Sequence, residues 1–319
     1  MENNLEENQN YSLDFHGKGG DFFGIVIINW LLTIITLGLY YPWAKAKQLQ
    51  YVHSATALNG DSFAFHGTGK EMFKGFIKAI LIFTILYGLL FLFIYLKMPG
   101  TGLLLFYAGL LAILPIAIHG SYRYRMSRTS WRGIRFGYRG DRNEFIKLFL
   151  KWIGLTIITL GIYGPWMVMN MRNYLLGNVR FGDASFEYEG DGGNYFGMNI
   201  KGYFLSIITL GIYMFWWQKD LFEYYVNNLR LKKDGTQINF TSTATGGDFF
   251  GLVMINLFIL IFTLGLGYAW VAMRTMKFVF EHVELDGNLD LNTLVQTEEN
   301  YKDATGEDLS DFLDLDTVM

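Results

Sequence analysis

The chain has 319 residues, of which 51% are hydrophobic, 18% aromatic and only 17% charged, against roughly 25% charge in average soluble chains. That balance argues against a pair of ordinary soluble domains, and the aromatic excess suits side chains at a membrane–water boundary. Cysteine is absent, which excludes a disulfide framework and a thiolate metal site.

The net charge of −3 is unevenly spread, with a basic stretch at 121–147 and an acidic one at 298–319. Residues 1–12 read as a polar N-terminal tail. Over residues 1–21 Glu2, Glu6, Glu7, Asp14 and Asp21 outweigh Lys18, which is not the basic start of a cleaved signal. The first apolar run, 22–43, has the ~20 residues that a membrane span requires. It closes on Thr36-Leu37-Gly38-Leu39-Tyr40-Tyr41-Pro42-Trp43. Lys45 and Lys47 follow, and then Asn59-Gly60 between alternating residues, which signals a β-hairpin at about 56–67.

Apolar runs at 76–96 and 102–119 are joined by Lys97-Met98-Pro99-Gly100 and predict an antiparallel helical hairpin. An arginine-rich segment and a hairpin at about 129–140 come next. The fourth run, 145–168, carries Thr159-Leu160-Gly161-Ile162-Tyr163-Gly164-Pro165-Trp166 and leads to a hairpin at 179–190. The fifth, 195–217, carries Thr209, Gly211 and Trp216 at the same spacing, with a hairpin at 229–242 after it. The sixth, 249–273, carries Thr263, Gly265 and Trp270 and precedes a degenerate hairpin at 283–292.

The predicted fold is therefore a membrane all-α bundle of about six transmembrane helices. It is built from internal repeats of about 50 residues, a period typical of repeat architectures, with short β-hairpins between helices. Asp or Asn before an apolar run reads as a helix cap. Hairpins on one side are expected to share a sheet, because a lone two-stranded ribbon is marginal in water. The strand near Leu13–Phe15 is expected to add to a neighbouring edge. The loops after the first, third and fifth spans hold more bases, so the positive-inside rule predicts both termini outside the cytoplasm. That prediction assumes full spans; re-entrant helices would put every hairpin on one side.

The Phe-x-Gly-x-Gly helix starts, the Thr-Leu-Gly-x-Tyr-x-Pro-Trp phrase and the Phe-x-Phe-x-Gly hairpins together resemble the YjgN family, over roughly residues 13–292. That resemblance implies a multi-pass protein of the bacterial inner membrane carrying a domain of unknown function. It implies no activity, substrate or cofactor. The later copies depart from it, with Phe215 and Ala269 in place of Pro42 and Pro165.

The phrase has a structural explanation. Proline kinks a helix, threonine bonds back to a carbonyl, glycine permits close helix contact and tryptophan anchors at the headgroups. On this reading Gly38, Gly161, Gly211 and Gly265 sit where helices touch. The alternative is a broken helix lining a substrate path. Asn29 and Asn256 hold equivalent places and read as interhelical bonds or pathway groups. Lys201, inside a run, is a candidate by default. The histidines lack metal-binding spacing, and phosphate-loop, nucleotide and hydrolase motifs are absent, so no catalytic residue, cofactor or metal is expected.

The tail at 293–319 reads as disordered and acidic. Nothing points to nucleic acid. The expected partners are the lipid bilayer and, as an open possibility, further copies of the chain. The leading functional reading is a transporter or channel-like protein with broken helices, rather than an enzyme. The competing one is a non-catalytic scaffold that holds lipids or partners through its hairpins.

Overall fold

A computed structural model describes residues 9–297. Strands β1 (Gln9–Tyr11) and β2 (Leu13–Phe15) lead into α1 (Gly19–Ile35), α2 (Tyr41–Ala55), β3 (Thr56–Leu58) and β4 (Asp61–Phe65). The chain continues as α3 (Gly69–Tyr95), α4 (Pro99–Arg128), β5 (Thr129–Trp131) and β6 (Ile134–Tyr138). Next come α5 (Arg142–Ile158), α6 (Gly164–Gly177), β7 (Val179–Phe181) and β8 (Ala184–Tyr188). Then follow α7 (Gly192–Ile208), α8 (Met214–Asn227), β9 (Leu229–Lys233) and β10 (Thr236–Ser242). The described chain finishes with α9 (Gly246–Phe262), α10 (Tyr268–Glu281), β11 (Val283–Gly287) and a 3-10 turn at Leu291–Thr293.

This overturns the bundle of about six spanning helices. Among the described residues only α3 and α4 are long and apolar enough to cross a membrane. The other four apolar runs are not single helices. Each contains a 17-residue helix, a chain reversal and the beginning of a second helix. Seventeen residues rise only about 25 Å, short of the ~30 Å hydrocarbon layer.

The reversal is the Thr-Leu-Gly phrase itself. Leu37, Leu160, Leu210 and Leu264 have φ of 51, 52, 51 and 51°, and the glycines after them have φ of 92, 93, 92 and 87°. Two successive residues at positive φ turn the chain back on itself. The threonine caps both helices: Thr36 Oγ1 donates to the Leu32 carbonyl (2.7 Å) and accepts from the Tyr40 amide (3.0 Å). Thr159, Thr209 and Thr263 repeat both bonds. Pro42 and Pro165 do not kink a helix; they stand at the start of α2 and α6, where proline's missing amide costs nothing. The glycines are not helix contacts either, since a Cβ on Gly38, Gly161, Gly211 or Gly265 would meet no atom within 4 Å. Gly161→Ala and Gly161→Leu are accordingly expected to destabilise by the same amount, about 1–2 kcal/mol for a left-handed backbone. Thermal melts of both variants in detergent measure this; a penalty growing with side-chain size would restore the packing role.

All eleven strands join one antiparallel sheet, in the order β1-β11-β10-β9-β8-β7-β6-β5-β4-β3-β2. Its two outermost strands, β1 and β2, are separated in the chain by Ser12 alone. The sheet therefore closes into a barrel: Tyr11 pairs with Leu285 on one side of the seam and Leu13 with Leu58 on the other. Ser12 accepts from the Asn59 amide (2.8 Å) and donates its own amide to Asn59 Oδ1 (2.9 Å). Five turns at the far end connect or finish the strand pairs, with Asn59-Gly60, Arg132-Gly133 and Asp234-Gly235 all at positive φ. Because every strand pair belongs to one sheet, the loops cannot alternate across a membrane, and the expectation of two loop-bearing sides is corrected.

The helices stand on the opposite rim, each packed on its neighbours in the chain, with α10 returning against α1. The motif tryptophans are the wedges of this ring. Trp43 packs on Gly69, Trp166 on Gly192, Trp216 on Gly246 and Trp270 on Gly19, so each helix pair locks onto the first residue of the next. Ring pairs reinforce these joints, at 5.0 Å for Trp43–Phe73, 5.2 Å for Trp166–Phe196 and 4.8 Å for Phe23–Trp270. The second pair lacks the phrase, and His119 of α4 instead meets Phe145 of α5.

Candidate functional site

Four helix reversals present matching apolar tips. Leu37, Leu160, Leu210 and Leu264 are 93, 94, 93 and 92% exposed, and Ile35, Ile158, Ile208 and Phe262 beside them are also exposed. No charged residue occurs in 36–40, 159–163, 209–213 or 263–267. The backbone amides at the tips are nonetheless satisfied. From Thr36 to Tyr41 every amide donates within the turn, including Gly38 to the Thr33 carbonyl at 2.7 Å. A turn whose amides are all paired and whose tip side chain is a leucine is suited to hydrocarbon, where an unpaired amide costs several kcal/mol. The α3–α4 pair rises above this crown, since α3 is 10 residues longer than the 17 of α1, or about 15 Å.

The polar residues singled out from the sequence are not gathered into one site. Asn29 is 1% exposed, and its Nδ2 donates to the Ala44 carbonyl at 3.3 Å, tying α1 to α2. Asn256 Nδ2 donates to Thr275 Oγ1 at 3.1 Å, tying α9 to α10. The Oδ1 atoms of both are buried without a hydrogen-bond partner in the structure. Lys201 is exposed on α7, its ammonium 5.9 Å from the Tyr213 ring.

The barrel is filled. Inward side chains oppose each other around it as Phe63–Trp131, Phe136–Phe181, Phe186–Leu231 and Tyr11–Leu285, within one apolar cluster. Alternation places the charged partners outside, where Glu187 lies opposite Arg230 and Lys232 pairs with Glu187 at 2.5 Å. Leu289, Leu291 and Leu294 close the end away from the helices. This strap is fastened to the strand turns: Arg132 to Asn292 Oδ1 (2.8 Å), Val295 amide to Asp183 Oδ1 (3.1 Å) and Thr297 Oγ1 to the Gly182 carbonyl (2.6 Å). Burial acts to raise the Asp183 carboxyl, but the Lys233 ammonium at 2.7 Å and the Val295 amide prevail and hold it below its usual value. At the upper rim burial pushes the Tyr188 hydroxyl up to about 12, partly offset by Arg172.

Comparison with known proteins matches residues 10–190, 184–237 and 217–312 to the family described as Bacterial protein of unknown function (DUF898). The chain belongs to this family. Its relatives include the Inner membrane protein YjgN of Salmonella typhimurium (strain LT2), 39% identical over 134 residues, which cover 42% of this chain and 33% of the relative. The Inner membrane protein YjgN of Escherichia coli (strain K12) is 34% identical over 135 residues, with the same coverage. These alignments thus span about a third of each relative's length. No solved structure matches.

In this DUF898 chain no group of three or more His, Asp or Glu side chains comes together as a metal site among the described residues. Sequence reasoning placed the threonines, glycines and tryptophans of the phrase but missed the leucine between them. Its identity in all four copies was the available signal. The strap was missed because its leucines are separated by polar residues and resemble the acidic tail that follows, which at 298–319 lies outside the described residues.

Proposed function

We propose that this chain is an inner-membrane protein in which α3 and α4 cross the bilayer and four shorter helix pairs enter one leaflet from the same side. The barrel stands on the cytoplasmic side as a rigid platform for lipids or protein partners. The observation that carries this reading is the crown of four equivalent tips, over 90% exposed at their leucines and free of charge. An apolar surface of that extent on a soluble protein would promote association. Orientation follows from charge. The only base at the α3–α4 turn is Lys97, whereas the arginines of 121–142 lie on the barrel side, which the positive-inside rule assigns to the cytoplasm. The names of the relatives support the inner membrane. A platform is favoured over a conduit because the barrel interior is packed with side chains and strapped shut.

The absence of cysteine makes the test direct. In single-cysteine variants, Ser12→Cys should resist an impermeant maleimide on intact spheroplasts and react in inverted vesicles. Thr101→Cys, at the top of the long pair, should do the opposite. Leu210→Cys should react only after detergent. Labelling of Ser12→Cys and Thr101→Cys from the same side would overturn the reading.

A further inference from the structure

The helices that open the five pairs begin at equivalent places, and their tenth residues can be compared directly. They are Ile28 in α1, Lys78 in α3, Lys151 in α5, Lys201 in α7 and Ile255 in α9. Lys78, Lys151 and Lys201 are exposed, as are Ile28 (53%) and Ile255 (42%). Among these opening helices one height therefore carries lysine on three consecutive members and isoleucine on the two that meet at the barrel seam. One turn nearer the sheet, Lys74 and Lys147 extend the basic band, where the other three helices have Gly24, Gly197 and Gly251.

Each lysine heads a stripe that runs on into exposed apolar side chains. Lys78 is followed by Leu81 and Ile85, Lys151 by Ile158, and Lys201 by Phe204 and Ile208. The boundary between charge and hydrocarbon thus falls at one level on all three helices. These helices carry few acids. Glu71 is the only acid of α3 and is held by Arg128 at 3.2 Å. Glu144 is the only acid of α5 and accepts from Tyr174 at 3.1 Å. Helix α7 has none.

We propose that Lys78, Lys151 and Lys201, with Lys74 and Lys147 beneath them, form an arc that binds the phosphate groups of anionic phospholipids. The protein then holds anionic lipid against the opening helices of its second, third and fourth pairs. The inference rests on the membrane reading above. Lysine stems cover apolar surface while their ammonium groups reach the headgroup layer, and juxtamembrane cations are attracted to anionic leaflets.

The test uses the full chain reconstituted in vesicles containing either brominated phosphatidylglycerol or brominated phosphatidylcholine, with tryptophan fluorescence as the readout. Trp152 adjoins Lys151, and Trp217 packs on Gly202 beside Lys201. The parent should show a preference for the brominated anionic lipid on the order of tenfold. K78Q/K151Q/K201Q should lose that preference, and K78R/K151R/K201R should keep it. Equal quenching by the two lipids in the parent, an unchanged preference in the glutamine variant, or loss in the arginine variant overturns the arc. Absence of quenching by either lipid in the parent would instead overturn the membrane reading.

Discussion

Deletion of residues 1–16 is expected to open the barrel and drive the protein into aggregates. Strands β1 and β2 are the seam, paired through Tyr11–Leu285 on one flank and Leu13–Leu58 on the other. Tyr11 and Phe15 are buried, and the Tyr11 hydroxyl donates to the Leu289 carbonyl of the strap at 2.6 Å. Losing Tyr11, Leu13 and Phe15 removes about 5 kcal/mol of apolar burial. It also exposes two strand edges that template pairing with other chains. Size-exclusion chromatography and amide exchange at 57–58 and 285–287 measure the outcome. A truncated chain that stays monodisperse with those amides protected would show that the ring does not depend on its seam.

Trp131→Ala should be the most damaging single substitution in the barrel, at about 3–5 kcal/mol. The indole is 1% exposed and packs edge-on against Phe181 at 5.8 Å. Its Nε1 donates to the Asp61 carbonyl at 2.9 Å and to the Leu58 carbonyl at 3.2 Å, so it fastens β5 across the β3–β4 turn. Trp131→Phe should cost less, because a ring still fills the space while the two carbonyls lose their donor. Thermal unfolding in detergent distinguishes the pair. A Trp131→Ala protein that melts with the parent would mean that the barrel interior is not packed as described.

The two substitutions act at different levels of the same design. The seam is a matter of topology, in which residues 9–15 complete a ring whose other members lie up to the far end of the described chain. Trp131 is a matter of local fit, in which one side chain joins strands that are close in sequence. The crown of leucines belongs to neither, since Leu37, Leu160, Leu210 and Leu264 are almost fully exposed. Their exposure makes sense only against a solvent other than water.

Much of the local chemistry was legible from residues alone. Asn59-Gly60 marks a tight turn because the backbone conformation there is short-range and glycine accepts it at no steric cost. Thr36, Thr159, Thr209 and Thr263 cap helices through atoms four residues away, and composition alone points to a lipid-facing surface. Two matters were decided only in three dimensions. An apolar run of spanning length looks the same whether it crosses a bilayer or turns back within it. What separates the two is the positive φ of Leu37 and its counterparts, a conformation an L-residue adopts only when the surrounding turn enforces it. The partner of each strand and each tryptophan was equally hidden. Trp270 meets Gly19, and Tyr11 meets Leu285, across nearly the whole chain. Such contacts arise because five incomplete sheets remove their edges only by closing on one another, and ring closure is a property of the assembled chain rather than of any one segment.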